Sequence, residues 1–384
     1  MKISRIGRAS GLAVATALAL AACGSATNND ATSSAPAAGA DAGNAADTTT
    51  GRAPGSSAAA GDPTCFTGSL SAEGSTAQQN AITQAISSYQ AKCNGAKISY
   101  NGTGSGAGIT KFLAKQVDFA GSDSALNPDK GEPAKAKQIC RSDALDIPMV
   151  TGPIAVAFNV KGVDELNLTP ELIAEIFAGK ITRWNDPAIQ AANKGASLPD
   201  TKISVFFRSD SSGTTDNFTN YLHTVAPSVW THEHDKTWKG SVGQGKAKTA
   251  GVASAVKSTD GGIGYIEWGY AIQNKLHMAS VDGVALTGDS AGKAVESAKI
   301  VGTGNDLSLA IDYKTRTAGA YPIILVTYEV VCSKYADATT ANNIKAFLSY
   351  MASSDFQQQL TGVGAAPLPA SIQQKVLASI DSIS

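Results

Sequence analysis

Ile203-Ser204-Val205-Phe206-Phe207-Arg208-Ser209-Asp210-Ser211-Ser212-Gly213-Thr214 is a short apolar strand running into a loop of hydroxyls and glycine, and the stretch from Thr214 to His223 reads as a helix. Two other segments share this design. Gly74-Ser75-Thr76-Ala77 leads into a helix that ends at Lys92, and Gly104-Ser105-Gly106-Ala107-Gly108 into one near Ile109 to Ala114. The first turn of a helix has free backbone N–H groups and the positive end of the macrodipole. Ser and Thr add donors, and Gly lets a ligand approach the backbone. One such start is ordinary capping. Three of them, with Asp123 after one strand and Arg208 and Asp210 after another, form a set able to bind a tetrahedral oxyanion.

Outward from these segments, helices of moderate length alternate with short apolar strands, the pattern of α/β layers with mainly parallel sheets. Strands are expected at Ser69 to Ala72, Lys97 to Asn101, Asp118 to Ala120, Ile154 to Asn159, Ile263 to Trp268 and Ile323 to Val331. Further helices are expected at Thr169 to Ala178, Asp186 to Asn193, Gly251 to Lys257, Thr340 to Leu360 and Ser371 to Ile380. No internal repeat is seen. The folded part exceeds the usual size of a single core, which argues for two lobes.

The first residues place the protein. Lys2, Arg5 and Arg8 precede an uncharged stretch from Gly11 to Ala22 that ends in Leu20-Ala21-Ala22-Cys23. That stretch is shorter than the span of about 20 residues a membrane helix needs, so residues 1–22 read as a secretory signal. Cysteine directly after small residues resembles the bacterial lipobox, which makes Cys23 a lipidated (palmitate-bearing) mature N-terminus. Ordinary cleavage to a soluble secreted protein is the other reading. Residues 23–62 are almost all Ala, Ser, Thr, Gly, Asn, Asp and Pro, a composition that buries no core and serves as a flexible tether. The expected site is the cell membrane, lipid-anchored on the extracytoplasmic side. Lys and Arg number 31 against 32 Asp and Glu, for a formal charge of −1, and nothing suggests nucleic acid.

Beyond Cys23 lie Cys65, Cys93, Cys140 and Cys332, an even number in an exported chain, which favours two disulfides. Cys65 precedes the first strand and Cys93 ends the helix after it, so both fall at one end of a βαβ unit. Cys140–Cys332 then follows by elimination. No CxxC spacing suggests zinc.

In order and spacing, Gly74-Ser75-Thr76, Gly102-Thr103-Gly104-Ser105, Val117-Asp118-Phe119-Ala120-Gly121-Ser122-Asp123, Arg208-Ser209-Asp210-Ser211-Ser212-Gly213-Thr214 and Gly262-Ile263-Gly264-Tyr265-Ile266-Glu267 resemble the substrate-binding lipoprotein of the phosphate-specific ABC transporter, the PstS family. The resemblance covers nearly everything after the tether. It implies a two-lobed periplasmic-binding-protein fold of type II, with the ligand in a cleft between lobes joined by crossing strands. One lobe would be 63–158 plus 316–384, the other 159–315. It further implies a non-enzymatic receptor for inorganic phosphate, without cofactor or metal, that delivers its ligand to permease subunits of the importer.

In this family phosphate is held by hydroxyls, backbone N–H groups, one arginine and one acceptor carboxylate. The matching positions here are Thr76 and Ser105 as hydroxyl donors, the N–H of Ala77, where many relatives carry Phe, and the adjacent Ser75. From the other lobe come Arg208, Asp210 holding its guanidinium, and Ser212, Gly213 and Thr214 at a helix start. Asp123 is the informative member. A carboxylate facing an anion is repulsive unless the anion brings a proton to share. Phosphate near neutral pH has one and sulfate has none, so Asp123 predicts selectivity for phosphate. Taken singly, Asp123 could be a helix cap, Arg208 with Asp210 a surface ion pair, and the hydroxyls ordinary N-caps. A broader, sulfate-like oxyanion receptor and a surface antigen without a transport role are the alternatives.

Other motifs fall away. Gly240 to Ala247 nearly spells a P-loop, but Ala247 stands where a hydroxyl must reach Mg²⁺. Gly288-Asp289-Ser290-Ala291-Gly292 fits the nucleophile elbow as a loop match, since no histidine follows His277. His232-Glu233-His234 reads as solvated surface rather than a metal site. A phosphatase would need a metal cluster or an activated nucleophile, and the sequence offers neither.

Overall fold

Strand β4, Ala144–Asn159, is sixteen residues long and buried through nearly all of its length. It starts in one half of the molecule and ends in the other. Its first part pairs antiparallel with β9, Ile324–Cys332, and its last six residues pair antiparallel with β7, Gly262–Glu267. These strands belong to the 9-stranded sheet of a computed structural model that describes residues 62–384. The signal segment 1–22, Cys23 and all but the last residue of the tether lie outside the described residues.

The remaining strands are β1 Gly68–Gly74, β2 Ala96–Gly102, β3 Phe119–Ser122, β5 Ser204–Arg208, β6 Gln244–Lys246 and β8 His277–Met278. Along the sheet the order is β2-β1-β3-β9-β4-β7-β5-β6, with β8 pairing the far end of β4. Pairing is parallel within each half, β1 with β2 and β3, and β5 with β6 and β7. It turns antiparallel at β4 and β9. The expectation of mainly parallel sheets therefore holds inside the halves and fails where the chain crosses between them.

Two hydrophobic cores flank this crossing. The first gathers Leu70, Ile82, Tyr89, Phe119, Ile147, Phe347 and Val376. The second gathers Phe158, Trp184, Phe218, Trp230, Val252, Ile263 and Tyr265. β4 supplies Ile147, Met149 and Val150 to one and Ile154 through Phe158 to the other. Helix α1, Gln79–Lys92, shows how the first core is built: Ala81, Ile82, Ala85 and Tyr89 recur at helical spacing on its buried face. Fully burying a side chain such as Ile82 stabilises by about 2 kcal/mol.

Cys65–Cys93 and Cys140–Cys332 are disulfide-bonded, with Cα separations of 5.2 and 5.4 Å. They span 28 and 192 residues. On the chain-entropy account, loops of these lengths stabilise by roughly 3.5 and 5 kcal/mol.

Several boundaries differ from the expectations. β4 begins ten residues before Ile154, where the strand was expected to start. In the structure Pro148 sits opposite Tyr328, where the register with β9 shifts, and Pro153 sits where β4 changes partner, so the missing N–H groups fall at irregular points of the ladder. The expected helix Thr340 to Leu360 is two helices, Ala338–Ala352 and Ser354–Gln359, because Ser353 leaves helical geometry and caps the Phe356 N–H. A helix at Glu132–Cys140 was not anticipated. Gly288–Val295 is a helix rather than a loop, closed by a capping box of Thr287 and Ser290.

Candidate functional site

The three hydroxyl-rich starts meet between the two cores. Helix α2, Ser105–Leu113, and helix α3, Gly213–Val225, point their N-termini at the same place, and the 75–77 loop ahead of α1 closes it. Ser212 caps α3 by accepting from the Thr215 N–H at 3.3 Å. Gly213 is required by proximity. A Cβ there would stand 2.6 Å from the Asp123 Cβ and 3.0 Å from its Cα, atoms fixed to the backbone, as well as 2.6 Å from the Ser105 Oγ.

Asp123 is the centre of one wall. It is 2% exposed and accepts hydrogen bonds from Ser75 at 2.5 Å, Thr327 at 2.8 Å, Ser105 at 3.3 Å and Thr214 at 3.4 Å. Burial pushes its carboxyl up from the usual range. The Ser75 and Thr327 hydroxyls and the Arg208 charge oppose that rise without cancelling it. The Ala77 N–H donates to the Ser75 Oγ at 3.0 Å, so this backbone donor is aimed into the same cluster.

Arg208 is the centre of the other wall and is also 2% exposed. Its Nε donates to Asp210 Oδ1 at 2.8 Å and its Nη2 to Asp210 Oδ2, a fork held from one side. Burial raises the Asp210 carboxyl, but the Arg208 guanidinium and the Lys248 N–H outweigh this and hold it below the usual range. Nη1 remains on the other edge and donates to Thr249 Oγ1 at 3.2 Å. Thr249 in turn shares a hydrogen bond of 2.8 Å with Thr76, 173 residues away and on the opposite wall. Behind Arg208, its N–H donates to the Tyr265 hydroxyl at 3.0 Å, and Tyr265 stacks on Phe218 with ring centroids 4.5 Å apart.

All ten residues expected at the site, Ser75, Thr76, Ala77, Ser105, Asp123, Arg208, Asp210, Ser212, Gly213 and Thr214, thus converge. Sequence reasoning missed Thr249, at the start of helix α4, Lys248–Ser258, and Thr327 on β9. It also missed Asn217, whose amide donates to the Asp123 carbonyl at 2.6 Å and ties α3 to the opposite wall. A signal for Thr327 existed: a threonine inside a strand otherwise almost wholly apolar. His232, Glu233 and His234 are exposed, as expected, and the His234 Nδ1 lies 2.7 Å from Asp216 Oδ1. Among the described residues no group of His, Cys, Asp and Glu is arranged to hold a metal, and no helix is long and apolar enough to cross a membrane.

A two-lobed α/β fold with a buried polar cleft between its halves is that of the PBP class, and a family model described as a PBP superfamily domain matches residues 30–355. Phosphate-binding protein PstS 2 of Mycobacterium tuberculosis is 44% identical over 392 residues, covering 100% of both chains. Phosphate-binding protein PstS 3 of Mycobacterium leprae is 42% identical over 391 residues, again covering 100% of both. The chain belongs to this family, the PstS phosphate-binding proteins. Its fold is similar to that of a high-affinity periplasmic phosphate-binding protein solved with bound phosphate, with a TM-score of 0.68 and 21% identity over 81% of this chain and 93% of the other.

Proposed function

We propose that this chain is a receptor, not an enzyme, that closes on inorganic phosphate and presents it to permease subunits of an ABC importer. Residues 63–158 with 316–384 are taken as one lobe and 159–315 as the other; the two cores support this in outline, while Ile154 to Phe158, Tyr321 and Ile323 pack with the second core and Leu307 with the first. The observation that carries the reading is the pairing, across one cleft, of a guanidinium held by Asp210 with a buried carboxyl, Asp123, that accepts from four hydroxyls. Arg208 Nη1, the Ala77 N–H, the N-termini of α2 and α3, and the hydroxyls of Ser75, Thr76, Ser105 and Thr214 donate to the phosphate oxygens. The proton of monohydrogen phosphate is donated to Asp123. Because donors come from both lobes, the ligand gains its full set only in the closed arrangement, and binding shifts the population toward it. Cys23 supplies the lipid anchor and residues 23–62 the tether, which keeps the receptor on the extracytoplasmic face beside its permease.

The test is calorimetric titration of the protein, freed of bound anion by partial unfolding and refolding, with phosphate and then sulfate. Tight one-to-one phosphate binding with no heat from sulfate is expected. Equal binding of both anions would move the function to a broader oxyanion receptor, and binding of neither would remove the receptor reading.

A further inference from the structure

Directly behind the Asp123 wall lies a buried carboxyl that anion binding as described does not use. Glu329 sits on β9 opposite Gly121, is 0% exposed, and shares a face of the strand with Thr327, two residues earlier, whose hydroxyl bonds to Asp123. Neither oxygen of its carboxyl has a hydrogen-bond partner among the described residues, and the amide oxygen of neighbouring Gln78 is likewise unpartnered. Gln78 follows the 75–77 loop directly. Its Nε2 donates to the Tyr100 hydroxyl at 3.1 Å, and that hydroxyl donates to the Ser75 carbonyl at 2.7 Å. Gly121 makes room for this chain of contacts, since a Cβ there would stand 2.1 Å from Gln78 Nε2 and 2.6 Å from the Tyr100 hydroxyl.

Three buried, unpartnered acceptor oxygens close together are an unfavourable arrangement, and a proton on Glu329 relieves it by turning one acceptor into a donor. We propose that Glu329 is a positioning residue that carries its proton at neutral pH: as the neutral acid it bonds to Gln78, and through Gln78 and Tyr100 it fixes the Ser75–Ala77 loop in the orientation that receives the anion. Burial drives this carboxyl well above the usual range, and the Asp123 charge drives it further, against a Gln78 contact that works the other way. Tyr100, which faces the same pocket, is raised too, by burial and then by the Glu329 and Asp123 charges. If Glu329 loses its proton, a second negative charge stands behind Asp123 and repels the bound dianion.

This inference rests on phosphate being the ligand, but part of its test does not. The infrared spectrum of the protein at about pH 7 should contain a protonated-carboxyl component that is lost in Glu329→Gln, beside any contribution from Glu267 and Asp146, whatever the protein binds. In titrations with inorganic phosphate, Glu329→Gln should bind within about twofold of wild type at pH 7. Glu329→Leu, which can neither donate nor accept, should lose about tenfold while still melting cooperatively. From about pH 7 to about pH 10 the wild type should weaken about tenfold relative to Glu329→Gln, the equivalent of one unit of pKa shift. Absence of that infrared component, a Glu329→Gln variant as impaired as Glu329→Leu, or parallel pH profiles would each overturn the proposal. Failure of wild type to bind phosphate at all would overturn the receptor reading instead, leaving the infrared result to decide the protonation of Glu329.

Discussion

The two walls of the cleft are built on opposite principles. On the Arg208 wall the charge is fixed by neighbours that cannot readjust: Asp210 grips Nε and Nη2, and Asp210 is itself held by the Lys248 N–H at 2.8 Å. An aromatic layer backs this wall, with Trp238 stacked on Phe207 and Tyr265 on Phe218. Asp123 accepts from four hydroxyls, Ser75, Ser105 and Thr327 on its own wall and Thr214 from across the cleft, which can rotate to face either the carboxyl or a ligand. The carboxyls around this wall share a tendency to remain protonated. Glu267, which caps the helix Trp268–Gln273, is pushed up to about 8 by burial and the Asp123 charge, against bonds from the Gly269 and Tyr270 N–H groups. One wall therefore supplies attraction already in place before a ligand arrives, at no cost in reorganisation. On the proposed reading the other supplies discrimination, because what it accepts depends on where protons are.

If that division holds, the two walls should fail differently. Asp123→Asn removes the acceptor that demands a protonated anion and puts an amide donor in its place. The phosphate-over-sulfate preference should collapse, by up to about 10⁴-fold where one required hydrogen bond sets selectivity. Competitive titration with both anions reads this directly, and an unchanged ratio would break the comparison. Arg208→Ala should instead lower affinity for phosphate and sulfate alike, leaving the ratio nearly intact. Loss of a charge-assisted contact worth about 1.5–3 kcal/mol gives a decline of ~100-fold at its upper end. An Arg208→Ala protein of near wild-type affinity would mean that the guanidinium serves only Asp210 and Thr249.

Much of this asymmetry is legible in the chain. The three hydroxyl-and-glycine segments stand out because small donors before an apolar-periodic run have few other uses, and Arg208 with Asp210 follows a strand at the spacing of a held guanidinium. What supports them is harder to see. Thr249 lies two residues beyond the imperfect P-loop of Gly240 to Ala247, in a run with no motif of its own; its partner Thr76 is 173 residues away, and no local pattern encodes that contact. Thr327 and Glu329 were within reach. A threonine and a glutamate alternating through Ile323 to Val331 share one face of a strand buried on both sides, and such polar groups require partners. The first half of β4 was hidden by Pro148 and Pro153, residues that normally end a strand and here mark its register shift and its change of partner. Local chemistry was readable, whereas pairing across the sheet was not.

A smaller test lies at the rim, where the two halves meet outside the anion site. Ser124 donates to Asp216 Oδ2 at 2.5 Å and Lys130 approaches Asp235 at 3.3 Å, contacts that bridge the cleft from one side to the other. His234 completes the cluster on Asp216 Oδ1, and that hydrogen bond with the Asp216 charge raises the imidazole above 6.5 despite partial burial. Burial raises Asp216, but the His234 contact and the Ser124 bond outweigh it and hold the carboxyl below 3.8. The signs follow from linkage. The histidine contribution is fully present below pH 6.5 and fades as pH climbs through its raised folded value, while the Asp216 contribution is lost only as pH falls below 3.8. His234→Gln should therefore destabilise most near about pH 5 to 6 and progressively less at alkaline pH. The imidazole is 42% exposed, and solvent screening keeps the effect to about 0.5 kcal/mol. Thermal melts of the two proteins across that range measure it. A destabilisation that stayed constant with pH would show that His234 contributes packing alone, and that the rim, unlike the Asp123 wall behind it, does not depend on where its protons sit.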